Sequence, residues 1–377
     1  MSRALVLDAF DTLARGWGRL KQTKTKPSGL LLVRSGGIGD LILFSHVFPR
    51  FRALAEPGEP ITLMLRRDAA KAAFLLGPGV EILTIDYGKF LSNPGYRWSV
   101  STDLRRRNFR KVVTTDERRH PLIDEALIVA TGAPERVGLD AMAWPKYDRR
   151  LARNRRFFTK LHSLPAKPLH VVEKWAELAD LLTGKTEETA PLRLPDSLLP
   201  APERLERPVV VIQPFAAVPE KQITAGDVGR ILDALPEGTD AVITGAPSDL
   251  ERAPEIAALL GRSHVRFDGR TFAEIVPLLR AATLVVSVDT ALMHLAAAVG
   301  APTLGLASAA WVGEIVPYPA HLTPPNLEIL YHDMPCAGCR AACPYPPEQG
   351  MYPCVARLDR ELVLAKVRAA VTVSRHG

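Results

Sequence analysis

Short apolar runs recur along the chain, each closed by turn residues and followed by a longer segment of helical periodicity. Leu30–Val33 is the first unbroken run. It passes through the glycine-rich stretch Arg34–Asp40 into a helix predicted over 41–54, and runs at 61–65, 80–85 and 112–115 repeat the pattern. Apolar runs with no polar alternation are what strands buried on both faces look like, and their alternation with helices predicts parallel α/β construction. A helix is predicted over 169–182, and the proline-rich stretch 191–208 reads as an interdomain linker. A second series follows, with strands expected at 208–212, 240–243, 283–288 and 303–306 and helices at 227–235, 249–260 and 272–281. The last helix is predicted over 359–373 with Asp359 as its N-cap. The expected organisation is an extension over 1–28, α/β domains over 29–190 and 208–345, and a tail over 346–377. No repeat at a solenoid period is present.

Two windows imitate something else. Ala291–Val312 holds a single ionisable residue, His294, yet Gly300-Ala301-Pro302 and Gly305 break it, so a buried helix followed by a buried strand fits better than a bilayer span. Near the N-terminus, Leu5–Leu13 with Asp8 and Asp11 resembles the nucleophile loop of haloacid-dehalogenase-like hydrolases. Those enzymes need a complete mononucleotide-type fold after that strand; here the basic linker Lys21–Lys26 follows. Residues 4–20 are apolar with interspersed arginines and predict an amphipathic helix lying on a membrane or on the body of the protein.

Composition narrows the class. Over 377 residues, 47% hydrophobic and 24% charged residues exclude global disorder, and the length suits two cores. Lys plus Arg at 48 against Asp plus Glu at 41 gives a net charge of +7. The excess gathers in two runs, Arg105–Arg119 and Arg149–Lys160, which suit a phosphate-bearing partner or a solvated loop face. Aromatics make up only 6% and are sparse in those runs, against nucleic-acid binding. No secretory signal pattern is present, so a soluble, cytoplasmic chain is expected.

Three loops carry the candidate chemistry. Gly36-Gly37-Ile38-Gly39-Asp40 lies between a strand and a helix, where glycines permit a tight turn and close ligand approach. Asp40 there suits either a base or a helix N-cap. In Val288-Asp289-Thr290-Ala291-Leu292-Met293-His294, a buried strand ends and a helix starts at Asp289 or Thr290. The first helical turn offers unpaired N–H groups and the positive end of the dipole to a diphosphate, with His294 one turn up on the same face. The alternative is that Asp289 only caps the helix and His294 is a buried polar residue with a partner. Gln213-Pro214 closes the strand at 208–212, and Lys221 follows in its loop, within reach of a phosphate.

In this order, the three loops resemble glycosyltransferase family 9, the ADP-heptose:lipopolysaccharide heptosyltransferases. Gly39-Asp40 matches the family's Gly-Asp, and Lys221 its loop lysine. Asp289-Thr290-Ala291-Leu292-Met293-His294-Leu295-Ala296 with Gly300-Ala301-Pro302 matches its Asp-Thr-Gly-x-x-His-x-Ala and Gly-x-Pro, and Gly132–Gly138 is similar to a first-domain segment. The resemblance covers residues 29 to 370. It departs at Ala291, where glycine is usual, and at Ala216–Glu220, which lacks the frequent aromatic. The resemblance implies a GT-B fold, two Rossmann-like domains facing a cleft. It implies an inverting transfer with Asp40 as base. Lys221, Asp289, Thr290, Ala291 and His294 would hold a nucleoside-diphosphate sugar, with ADP-heptose the family's donor. No cofactor would be required. The acceptor would be an anionic glycolipid or glycan, with peripheral contact to the inner membrane, and the arginine runs would suit its phosphates. A non-catalytic sugar-nucleotide-binding relative and transfer to a protein acceptor are the competing functions.

Cys336, Cys339, Cys343 and Cys354 are the chain's four cysteines, at a spacing close to that of a tetrathiolate. A structural zinc or iron site, an iron–sulfur cluster and reduced thiols with no ligand all remain open; related autotransporter heptosyltransferases carry an iron-binding four-cysteine motif with different spacing.

Overall fold

The computed structural model describes residues 3–20, 25–164 and 169–373, so Lys21–Lys24 of the expected linker lie outside the described residues, as does the side chain of Asp8. The chain forms two compact units, one of Met1–Lys167 with Val172–Glu188 and one of Pro168–Val171 with Thr189–Gly377.

The first unit holds β1 (Leu30–Arg34), β2 (Ile61–Arg66), β3 (Val80–Ile85), β4 (Lys111–Thr114), β5 (Glu135–Leu139) and β6 (Lys160–His162). They form one sheet in the order β3-β2-β1-β4-β5-β6, with every pairing parallel. Leu30 to Val33 are fully buried at its centre, as the unbroken apolar run requires. The helix Arg3–Leu20 lies on this unit: Leu7 and Ala14 are buried, Asp11 pairs with Arg97 at 2.6 Å, and Phe10 packs edge-on against Trp98. Leu13 and Trp17, one turn apart, face outward.

The second unit holds β7 (Val209–Gln213), β8 (Asp240–Thr244), β9 (Val265–Asp268), β10 (Leu284–Val288), β11 (Thr303–Ala307) and β12 (Leu327–Tyr331). Their order is β12-β11-β10-β7-β8-β9, again all parallel. Both sheets are therefore doubly wound, with strand order reversing between β1 and β4 in one and between β7 and β10 in the other. Such a reversal opens a crevice at the carboxyl ends of the two central strands, where ligands bind in folds of this kind.

Two segments differ from the sequence reading. The stretch 191–208 is strapped onto the second unit: Leu192 and Leu194 are buried and their N–H groups bond Leu322 and Ala298 at 2.9 and 2.8 Å. The expected tail is part of the same unit's core, which includes Met351, Val355, Val363, Val367 and Val371. Among the described residues, no helix is long and apolar enough to cross a membrane.

Candidate functional site

In the first unit the glycine loop leaves β1 at the reversal point. The helix that follows, Ile38–Arg52, begins three residues before the 41–54 expected, which places Gly37 at the N-cap and Asp40 at the third helical position. Asp40 is thus not the cap. Its Oδ2 reaches back to accept the Gly37 N–H at 2.8 Å, satisfying one of the donors a helix start leaves unpaired. The loop is tightly packed: a Cβ on Gly36 would stand 2.6 Å from Asp40 Cβ and 2.8 Å from Arg34 Nη2. Asp40 itself is half-buried, and so remains within reach of a ligand.

Beneath the loop lies a buried ion pair. The Arg34 guanidinium, 1% exposed, bonds Asp116 and Thr115 and lies 4.1 Å over the Trp175 ring and 5.0 Å over Phe44. Asp116, just past β4, accepts the Ser35 N–H at 2.6 Å. Burial pushes its carboxyl above the ordinary value, against the pull of Arg34. Alongside, Asp124 accepts the Tyr87 hydroxyl at 2.5 Å and the His120 N–H at 2.6 Å. Burial raises Asp124 too, and burial together with the Asp124 charge keeps Tyr87 protonated. Asp40 therefore rests on a rigid, hydrogen-bonded floor that fixes the loop. Sequence reasoning missed Asp116 and Asp124; the one signal was that Asp116 follows the strand that would flank β1.

Three arginines of the first run have structural partners. Arg107 pairs with Glu81 and Asp103 at 2.7 and 2.9 Å, and Arg110 with Glu59 at 2.6 Å. Arg119, 1% exposed, donates to the carbonyls of Asp116 and Leu139 at 2.8 and 2.7 Å. In the second run Arg155 pairs with Asp140, while Arg150, Arg153 and Arg156 line a cavity of about 180 Å³ with Asn154 and Phe157.

In the second unit the loops after β7 and β10 meet, because those strands are neighbours at the reversal point. Lys221 Nζ lies 2.7 Å from Asp289 Oδ2, with side chains 12% and 5% exposed. Ser308 Oγ approaches the same oxygen at 3.4 Å. The helix begins at Ala291 with Thr290 at the N-cap, and no side chain caps it. Asp289 is thus the partner of a lysine rather than a helix cap. Among the described residues no N-cap side chain takes up the N–H groups of the first turn, with Ala291 leading, which suits them to an anion. Gly300, at φ 85°, ends the helix as expected. His294 is buried at 4% exposure, and its Nδ1 lies 2.6 Å from the Tyr318 hydroxyl. Nothing in the sequence around Tyr318 marked it. The ammonium of Lys221 has three donors and Asp289 takes one, so the group can also meet a phosphate oxygen.

The four cysteines are free thiols, three half-buried and Cys354 buried. Burial pushes Cys336 and Cys354 up, and the neighbouring thiols Cys339 and Cys343 push the same way. They gather beside the site: Tyr352 donates its N–H to the carbonyl of Glu220 at 2.9 Å, and Gly338 to that of Ala309 at 2.8 Å. Yet among the described residues no group of three His, Cys, Asp or Glu side chains is placed to hold a metal ion.

The model of glycosyltransferase family 9 (heptosyltransferase) matches residues 97–337. That span includes Lys221, Asp289 and His294, but not Asp40 or the last three cysteines. No curated protein matches the chain. Among solved structures, the family 9 glycosyl transferase from Veillonella parvula is 16% identical, covering 93% of this chain and 99% of its own, with a TM-score of 0.68. E. coli heptosyltransferase WaaC with ADP is 17% identical over 90% of this chain and 99% of its own, TM-score 0.64. E. coli ADP-heptose lps heptosyltransferase II is 20% identical over 92% and 99%, TM-score 0.59. At such identities the likeness establishes the fold, a two-domain α/β fold of the GT-B kind.

Proposed function

The chain belongs to glycosyltransferase family 9, and on that premise we propose that it transfers a sugar, with inversion, from a nucleoside-diphosphate donor to an anionic glycan or glycolipid. The observation that carries the reading is the Lys221–Asp289 pair beside the uncapped start of the helix Ala291–Ala298, at the reversal point of the second sheet. A cation and a row of free N–H groups at one place suit a diphosphate. In the reaction, the acceptor hydroxyl oxygen attacks the anomeric carbon while its proton passes to Asp40. The bond from that carbon to the diphosphate breaks, and the charge gained by the leaving group is met by the helix start, Lys221 and His294. Fixed dipoles and a lysine supply this stabilisation from the chain's own groups.

ADP-heptose is the proposed donor, in keeping with the solved neighbours described as heptosyltransferases, one of them with ADP. For the acceptor, the cavity lined by Arg150, Arg153 and Arg156 supports a phosphorylated, lipopolysaccharide-type molecule. Exposed Leu13 and Trp17 suit contact with the membrane surface that such an acceptor occupies. Thermal shift of the purified protein against a panel of nucleotide sugars tests the donor. ADP and ADP-heptose are expected to raise the melting temperature in a concentration-dependent way; a shift with UDP- or GDP-sugars alone removes the adenine assignment, and no shift with any removes the donor site.

A further inference from the structure

The loops that follow β4 and β5 carry aromatic and basic side chains that the reaction as drawn does not use. Strands β1, β4 and β5 are parallel neighbours, so these loops leave the sheet at the same edge as the Asp40 loop. With neighbouring strands about 4.8 Å apart, the end of β5 stands about 10 Å from that of β1. The Met142 N–H bonds the Glu117 carbonyl at 2.8 Å and ties the two loops together.

His120, Trp144 and Tyr147 meet there, all three half-buried. The Trp144 and Tyr147 rings stand at 87° with centroids 4.8 Å apart, and His120 packs edge-on to them at 5.8 and 4.7 Å. The Leu122 N–H donates to His120 Nδ1 at 3.1 Å. A backbone amide can only donate, so Nδ1 is the bare nitrogen and Nε2 carries the ring's hydrogen. Nε2 lies 3.0 Å from the Tyr147 hydroxyl and therefore donates to its oxygen. The hydroxyl keeps its own hydrogen, which nothing accepts among the described residues; the same holds for the Trp144 indole N–H.

Two exposed cations flank this corner. The Arg118 guanidinium lies 5.4 Å over the Trp144 ring and the Lys146 ammonium 5.3 Å over that of Tyr147. Unlike Arg107, Arg110 and Arg119, neither has a carboxylate partner among the described residues. A pyranose offers a C–H face to an aromatic ring and hydroxyl oxygens to O–H and N–H donors. An acid group on that sugar would meet the two cations.

We propose that Trp144 and Tyr147 seat the acceptor's sugar at the sheet edge that carries Asp40, and that Arg118 and Lys146 select a sugar bearing a carboxylate or phosphate. The place of this corner in the reaction rests on the transferase reading; the binding itself does not.

Saturation-transfer difference NMR on the full chain tests this, with excess ADP to fill the donor site and with glucuronate, glucose-6-phosphate and glucose as probes. At least one anionic sugar is expected to receive saturation at its ring protons, and which one does so tells carboxylate from phosphate. Glucose is expected to receive little. Arg118→Gln with Lys146→Gln, both at exposed positions, should remove the difference between anionic and neutral sugars. Tyr147→Phe keeps the ring and should weaken binding about threefold to tenfold, the net worth of one hydrogen bond. Equal signals from all three sugars, no signal from either anionic one, or signals untouched by these variants overturn the proposal. If the sugars bind as expected while ADP produces no thermal shift, the donor reading fails and the corner stands; if ADP binds and the sugars do not, the corner falls and the donor reading stands.

Discussion

Replacing Lys221 by methionine keeps the length of the stem and removes only the ammonium. Asp289, with 5% of its side chain exposed, would then keep a charge with the Ser308 hydroxyl at 3.4 Å as its remaining side-chain contact among those described. Removing one partner of a buried pair costs about 3–5 kcal/mol, because the other charge stays buried and uncompensated. The 12% exposure of Lys221 and its place in a loop set the expectation at the lower end, about 3 kcal/mol. In a unit of this size each kcal/mol lowers the melting temperature by about 2–4 °C, so Lys221→Met should unfold about 6–12 °C below wild type. Differential scanning calorimetry of the full chain reads this, following the transition of the second unit. Asp289→Asn combined with Lys221→Met should recover most of the loss, since no buried charge is then left unpaired. A single variant within about 1 °C of wild type, or a double variant no better than the single, would refute the claim that the pair is a coupled, buried unit.

Two further outcomes follow from the first unit. Gly36→Ala places a methyl 2.6 Å from Asp40 Cβ and 2.8 Å from Arg34 Nη2. Overpacking of this kind costs about 1–3 kcal/mol, to be read by urea unfolding, and should slow transfer by displacing Asp40. Glu59 is held down to about 2 from 4.5, chiefly by the hydrogen bond from Arg110. Its folded pKa lies below its unfolded one, so its contribution is complete above pH 4.5 and is lost as pH falls toward 2. Glu59→Gln should therefore flatten the acid limb of the stability profile over that window and leave the rest of the limb in place, as followed by circular dichroism.

The central strands were legible because they are buried on both faces: Leu30–Val33 and Val209–Ile212 have no polar residue to obscure them. Of the edge strands, β3 was legible as the run at 80–85, but β9 and β6 were not. Val265–Asp268 is only four residues long with exposed Arg266 inside it, and Lys160–His162 is three residues long, so neither stands out from loop. The loops of the candidate site could be read because strand ends and helix starts mark them. Their partners could not. Whether Asp289 caps a helix or meets Lys221 depends on β7 and β10 being neighbours, which strand order decides and local sequence does not. Tyr318 meets His294 from 24 residues further on, past the strand Thr303–Ala307, and no periodicity reports such a contact. The partners of Arg107, Arg110 and Arg119 were hidden for a related reason: Glu81, Glu59 and Glu125 are spread over the unit and become visible only in three dimensions.

The account's central claim is that Asp40 accepts the acceptor's proton while the second unit holds the donor. Asp40→Asn keeps the carbonyl oxygen that accepts the Gly37 N–H and removes the base, so the loop is preserved and the chemistry is not. Turnover and donor affinity of this variant, measured side by side, test the claim most directly. Transfer is expected to fall by about 10²–10⁴-fold, the usual contribution of a positioned base, with ADP-heptose affinity unchanged. Turnover close to wild type would contradict it.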